Sequence, residues 1–368
     1  MECKVLTLLV GSNPLPNYLA AATLRPQTVH LVDSPQTEQC QQRLRAAFQN
    51  TLGIKEVRVF RASSATKPHD VERACHKALE GADHLNYTGG TKVMAAQARM
   101  TFGVDRDAFA SYVDEASGCI RFDNEIEIPI DASTLTIAVL LHLHGLEDVR
   151  HRTPVPGDPT QDDAETLAQR VLSSPEVAQH LYERFPDPSD KTIRSVKRDA
   201  IDVTDLDLSV PRIPEQPDAD IKHWLKFLRG EWLEEWTARK LRQVDSSTEI
   251  RTGVRPDLRG REFECDVLLL RGARPFLVSC TTDVRPSLCK SKLFEAALRA
   301  RQLGGDLARY ALVSLMPDAG VSQVQRDVAA VWDAPIQPCV FGIEHLRQWA
   351  GAGRSEPSLA LLREWLDR

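Results

Sequence analysis

Glu264 and Asp266 stand two residues apart at the head of an apolar run, FECDVLLL (263–270). On a β-strand, residues i and i+2 point to one face, so both carboxylates would share a side while Cys265 and Val267 turn into a core. Two like charges on one face beside apolar neighbours are costly unless a cation joins them. All-oxygen donor sets of this kind suit Mg²⁺ or Mn²⁺. In phosphodiester hydrolysis such an ion polarises the phosphate and generates hydroxide. The same pair also reads as an exposed strand end with two solvated carboxylates, and spacing alone does not choose.

A second constellation is NYTGGTKVMAAQA (86–98), which passes from the end of a strand into a helix. Gly89 and Gly90 let a backbone approach a ligand closely. The helix that follows offers free N–H donors and a positive dipole end, which suit phosphate. Thr91 adds a hydroxyl and Lys92 a cation. The other reading is a tight strand-to-helix turn capped by Thr91. A third segment, VGSNPLPNY (10–18), follows the first strand. In doubly wound sheets ligands sit at the carboxyl ends of strands, where both loops would lie.

The elements that must position these groups fall into two blocks. Over the first 130 residues strand and helix signals alternate: strands at 5–10, 28–33, 56–62 and 84–88, helices at 17–24, 37–52, 69–81 and from 90. A hairpin follows over ASYVDE and GCIRFDN. That order predicts a parallel sheet with helices on both faces. Residues 149–220 are rich in Pro and Asp and read as a connector carrying a short helix over 164–184. From 221 a long amphipathic helix, interrupted near Gly230, leads to strands at 263–272 and 275–282. A helix at 287–303 ends at Gly304–Gly305, and a strand follows at 309–315.

With 368 residues, two domains are expected, 1–148 and 221–368 flanking the connector. The formal net charge is −6, but from Lys222 onward basic residues exceed acidic ones by about four. A mildly basic C-terminal half is compatible with a nucleic-acid substrate. No apolar run reaches the roughly 20 residues of a membrane span, and the opening MECKVLTLLV reads as a strand rather than a signal peptide. The eight cysteines have no CxxC spacing and fall in apolar segments. They read as reduced thiols of a cytoplasmic protein, neither a disulfide framework nor a zinc site. His142 and His144 read as structural. Arg299, Arg301 and Arg309 read as solvated surface residues.

NYTGGTKVMA resembles the signature of CARF sensor domains in a CRISPR type III ancillary nuclease family, and VGSNPLPNY resembles that family's first-strand loop. The resemblance covers roughly residues 1–145. It implies a Rossmann-like fold, a homodimer, and a cyclic tetra-adenylate or cyclic hexa-adenylate ring bound across the dimer axis. Ligand contacts are implied for Gly11, Ser12, Asn13, Thr88, Gly89, Gly90, Thr91 and Lys92. Over roughly 222–315 the segments GEWLEEW, FECDVLLL, PFLVSCTT, LGG and RYALVS resemble the PD-(D/E)xK, restriction-endonuclease-like α/β domain of the same family. There a helix glutamate joins the strand carboxylates, which implies that Glu234, Glu264 and Asp266 hold the metal.

One departure bears on activity. The family's strand commonly ends Ser-Cys-Lys, and that lysine steadies the phosphate charge. Here the segment is Ser279–Cys280–Thr281. Either the lysine has migrated to the next helix, with Lys290 and Lys292 as candidates and Glu295 sharing the face of Lys292, or catalysis is weakened. The retained carboxylates favour migration. The expected function is a cyclic-oligoadenylate-activated, Mg²⁺- or Mn²⁺-dependent endonuclease acting on DNA or RNA. The alternative is a CARF receptor whose nuclease-like domain is inactive and binds nucleic acid or a partner. A CARF-linked transcription factor would need a winged helix, which the acidic, Pro-rich connector does not supply.

Overall fold

The computed structural model describes residues 2–115, 117–148, 157–185, 221–258, 261–262, 264–331, 338–351 and 357–367. Most of the expected connector lies outside the described residues.

The first half is built as the strand–helix alternation requires. Val5–Leu9 (β1) is followed by Leu15–Leu24 (α1), Thr28–Asp33 (β2), Glu38–Asn50 (α2), Glu56–Arg61 (β3), Pro68–Leu79 (α3), His84–Asn86 (β4) and Lys92–Phe102 (α4). Ala110–Asp114 (β5), Cys119–Phe122 (β6) and Glu127–Pro129 (β7) complete a seven-stranded sheet. Its order is β3-β2-β1-β4-β5-β6-β7, parallel through β5, with β6 and β7 added antiparallel. Leu6, Leu8 and Leu9 are fully buried because helices cover both faces, which a parallel sheet demands. The strand order reverses between β1 and β4, which pair directly with Leu6 opposite His84. Such a switch point opens a crevice at the carboxyl ends of the two strands.

Ile137–Leu143 (α5) packs on α2, and the two-residue strand Glu147–Asp148 (β8) follows. The single helix expected over 164–184 is two helices, Gln161–Ser173 (α6) and Glu176–Arg184 (α7). Ser174 and Pro175 separate them, since a proline lacks the N–H that would continue α6. Thr160 and Asp163 form a reciprocal capping box at the start of α6.

The long helix from 221 does break at Gly230. It runs as Ile221–Lys226 (α8), a π turn over Phe227–Glu231, and Trp232–Val244 (α9). Next come Glu249–Val254 (β9), Pro256–Leu258 (β10), Arg261–Glu262 (β11), Cys265–Arg271 (β12), Arg274–Thr281 (β13), Pro286–Gly304 (α10) and Arg309–Ser314 (β14). Asp318–Val331 (α11), Cys339–Phe341 (β15), Ile343–Ala350 (α12) and Ala360–Asp367 (α13) complete the chain. The second sheet has the order β15-β14-β13-β12-β9. β12 pairs antiparallel with β13 and β9, while β14 is parallel to β13 and β15. Helix–strand–strand–helix–strand is therefore its centre, flanked by β9 and β15.

Aromatic residues fill one face of this sheet. Trp224, Trp232, Trp236 and Trp349 are fully buried, and Trp236 stacks on Trp349 with centroids 6.1 Å apart. α6 and α7 bury Leu167, Val171 and Leu181 in the same core. The opposite face shares a continuous apolar core with the first sheet, through α5 and the buried side of α10. Two polar seams reinforce that join. Glu249 accepts the Ile137 N–H at 2.8 Å, and β8 pairs antiparallel with β10. No helix among the described residues is long and apolar enough to cross a membrane.

Candidate active site and ligand loops

At the switch point the two loops touch. A Cβ on Gly11 would lie 2.9 Å from the Gly90 nitrogen, and one on Gly89 would lie 2.0 Å from the Leu9 carbonyl oxygen. Only glycine fits there, and Gly90 has φ +78°. Asn17 is fully buried and donates from Nδ2 to Leu9 O at 2.8 Å. Its Oδ1 has no partner among the described residues and faces the Gly89 backbone. The threonines serve the framework. Thr88 donates to Asn86 Oδ1 at 2.8 Å and accepts the Val113 N–H at 2.6 Å. Thr91 accepts from Met94 N, capping α4, and donates to Ala65 O at 2.6 Å. Ser12 and Lys92 are exposed at the mouth, and Lys92 makes no ion pair among the described residues. The first turn of α4 thus presents its N–H groups beside an unpaired ammonium, an arrangement that attracts anions.

The first loop also abuts the second block. A Cβ on Gly305, at the end of α10, would come within 2.7 Å of Asn13 Nδ2. Beside it, Glu115 accepts the Asp306 N–H at 2.9 Å, and burial pushes its carboxyl above the usual range. His144 is held at the Leu303 backbone, its pKa pushed down to about 4 by burial, while His142 is exposed. Arg309 differs from expectation. It is buried and donates to the carbonyls of Asp306, Leu307 and Ala308, because its place at the start of β14 turns it into the α10 terminus.

At the other end of α10 lies an open cleft of about 1340 Å³. Glu234 from α9, Glu264 from just ahead of β12, Asp266 from its start, and Lys292 from α10 all line it. Asp266 accepts from Ser279 Oγ at 3.0 Å and from Cys280 N at 2.6 Å. Burial raises its pKa, while the charge of Lys292 and those hydrogen bonds pull the other way. Glu234 is pushed well above the carboxylate range, first by burial and then by Asp266, Glu231 and Glu264. Glu264 lies just before β12 and is the exposed member of the pair. Two carboxyls whose ionisation burial opposes, Glu234 and Asp266, beside the carboxylate of Glu264, offer only oxygen and fit a divalent cation of the Mg²⁺ or Mn²⁺ type.

The two candidate lysines separate. Two residues apart on a helix means about 200° of rotation. Lys290 therefore points elsewhere and pairs with Asp327 of α11 at 2.8 Å, outside the cleft lining. Lys292 makes no hydrogen bond or ion pair among the described residues, unlike the other cations that line the cleft. Glu295 does not line the cleft and lies at 4.0 Å from Arg299. Thr281, where the lysine is expected, lines it and accepts the Asp283 N–H.

Sequence reasoning missed Arg255 and Glu231. Arg255 donates from Nε to Glu264 Oε1 at 2.7 Å and reaches Glu231 at 3.4 Å. Burial works against its charge, and the pair with Glu264 outweighs it. Arg255 immediately precedes β10, the strand paired with β8. Nothing in TGVRPD marks it, since its importance comes from the β9–β12 pairing that sets Val254 against Cys265.

No family model matches the sequence, and no curated protein does. Solved structures do. The chain superposes on Can2 from Sulfobacillus thermosulfidooxidans, solved in complex with cyclic tetra-adenylate, with a TM-score of 0.70 at 18% identity, covering 99% of this chain and 100% of that one. Protein VC1899 from Vibrio cholerae gives 0.70 at 16%, covering 99% and 98%. A type III CRISPR defence DNA nuclease activated by cyclic oligoadenylate gives 0.55 at 18%, covering 86% of this chain and 46% of that one. The fold, with its mostly parallel and its mixed sheet, is therefore the two-domain fold of Can2 over nearly the whole chain.

Proposed function

We propose that the chain is a cyclic-oligoadenylate-activated, metal-dependent nuclease of type III CRISPR defence. The observation that carries this reading is the convergence of Glu234, Glu264, Asp266 and an unpaired Lys292 on one open cleft. The fold match to Can2 and to the defence nuclease supports it. Glu234, Glu264 and Asp266 would hold Mg²⁺ or Mn²⁺, which when bound polarises a phosphodiester and lowers the pKa of water. Lys292 faces the phosphate and offsets the charge that builds on it. Asp266 is fixed by Ser279 and the Cys280 N–H, so its free lone pairs point into the cleft. Arg255 holds Glu264 through Oε1 and leaves Oε2 for the ion.

The anion loops around Gly11, Ser12, Asn13 and residues 88–92 would take the cyclic adenylate. A symmetric ring suits an isologous dimer with one loop set per subunit. α10 is the connecting rod, with Lys292 near its start and Gly305 against Asn13 at its end. The test is nicking of plasmid and cleavage of RNA with Mn²⁺, with and without cyclic tetra- and hexa-adenylate. Activator-dependent cutting is expected. Activator-dependent binding of nucleic acid without cutting would instead favour the receptor reading, to which Thr281 in place of lysine lends support. Light scattering that finds a monomer with and without the ring would remove the dimer.

A further inference from the structure

Cys3, Asp83 and His84 meet at the amino ends of β1 and β4, the edge of the sheet opposite the ligand loops. Their ligand atoms all lie within 4.8 Å of one another. Sequence spacing hides the group, because Cys3 reaches the other two only through the β1–β4 pairing. His84 carries the observation that matters. Its side chain is 2% exposed, it packs edge-on to Phe109 and Phe122, and neither ring nitrogen has a hydrogen-bond partner among the described residues. Nδ1 stands 3.6 Å from Asp83 Oδ2, too far for a bond. Burying an imidazole with both nitrogens unused is expensive, and such orphans in native proteins usually mark a water or an ion.

We propose that Cys3, Asp83 and His84 form a zinc site that ties the segment ahead of β1 to the start of β4. The donor set is one sulfur, one nitrogen and one carboxylate oxygen, which selects zinc over the hard cations suited to the nuclease cleft. Charge supports the same choice. A divalent ion with one thiolate, one carboxylate and a neutral imidazole is net neutral, so the buried group is acceptable to its apolar surroundings. Asp83 is already aimed, since its carboxylate accepts the Lys4 and Val5 N–H groups at 2.9 and 2.5 Å and keeps lone pairs free. It is also the partly exposed member, at 36%, so water can reach the fourth position. Arg106 is close but spends its guanidinium on the Ala82 and Asp83 carbonyls rather than on this carboxylate.

The inference is independent of the nuclease reading, and its test is spectroscopic. The full chain is stripped with chelator and titrated with Co²⁺, whose thiolate complexes show a sulfur-to-metal charge-transfer band. A band is expected in wild type and in Asp266→Asn, which disables the cleft, and is expected to vanish in Cys3→Ser. Zinc chloride should displace the cobalt. Competition with a chromophoric chelator should give zinc binding weaker by at least about tenfold in Cys3→Ser and His84→Gln, the factor that even an outer-shell partner is worth. Absence of the band in saturated wild type, which requires no variant to fold, overturns the proposal. A band that survives Cys3→Ser assigns the sulfur elsewhere and overturns it equally.

Discussion

The two ends of α10 meet opposite kinds of chemistry. At its carboxyl end the crevice proposed for the cyclic adenylate is made mostly of backbone: glycines that admit no Cβ and a helix N-terminus, with Lys92, unpaired among the described residues, beside them. At its amino end the cleft is made of side chains, with carboxylates whose pKa values burial and mutual repulsion have raised. An anion is held by dipoles that need no ionisation. A divalent cation needs charges that burial resists. The difference predicts that the crevice tolerates pH and metal removal, whereas the cleft responds to both.

The largest break in that comparison is Asp266→Asn. It keeps the shape, removes a charge from the cleft and should lower nicking by about 10³-fold or more in Mn²⁺. Binding of the cyclic adenylate, read by calorimetry, should be unchanged, because the crevice contains none of these carboxylates. Undiminished nicking would move the active site.

Lys292→Ala should lose about 10²-fold in cleavage rate, as expected when one transition-state charge contact is removed. Lys290→Ala should stay within about twofold, since its partner is Asp327 on the surface. If both variants cut normally, the carboxylates and their metal carry the reaction without a lysine.

On the crevice side, Lys92→Ala should weaken cyclic tetra-adenylate binding by roughly ten- to a hundredfold, the worth of one charge-assisted phosphate contact. Cleavage at saturating activator should return to the wild-type rate. Wild-type affinity in calorimetry would mean that the α4 terminus is no more than a capped turn.

The comparison also explains what the sequence could reveal. The crevice is made of two short runs, Gly11 to Asn13 and Thr88 to Lys92, each contiguous and each placed at a strand end by its own local signal. The parallel sheet was legible for the same reason, since each strand is an apolar run bounded by its own turn. The cleft is assembled from three distant segments. Its pair, Glu264 and Asp266, was visible from spacing, but the separation of Lys290 from Lys292 depends on which helical face α11 covers. Arg255 had no local signal, because its meaning comes from strand pairing. β9 escapes the sequence reading because EIRTGV is half-buried up to Gly253, with only Val254 buried, and shows no alternation. The Thr88 and Thr91 hydroxyls, implied as ligand contacts by resemblance, are committed to Asn86, Val113, Met94 and Ala65, which only the folded loop reveals.

The smallest effect is one on stability, and its sign is set by the raised carboxyls. Glu234 and Asp266 ionise less readily folded than unfolded. Each contributes stability that is complete below the unfolded carboxylate range and is lost as pH rises through the raised value. Metal-free wild type should therefore lose stability from these two groups as pH rises above about 4. Glu234→Gln has no charge to suppress. Metal-free, it should melt roughly 2–4 °C above wild type at neutral pH. At about pH 4, where the wild-type carboxyl is itself protonated, that advantage should disappear. Mn²⁺ should reverse the order at neutral pH, because the ion binds the ionised carboxylate and stabilises only the state that holds it. Calorimetric scans across pH, with and without Mn²⁺, read all three outcomes. A variant that melts below wild type at neutral pH without metal would show that Glu234 is satisfied by the protein alone, and the contrast between the two ends of α10 would lose its physical basis.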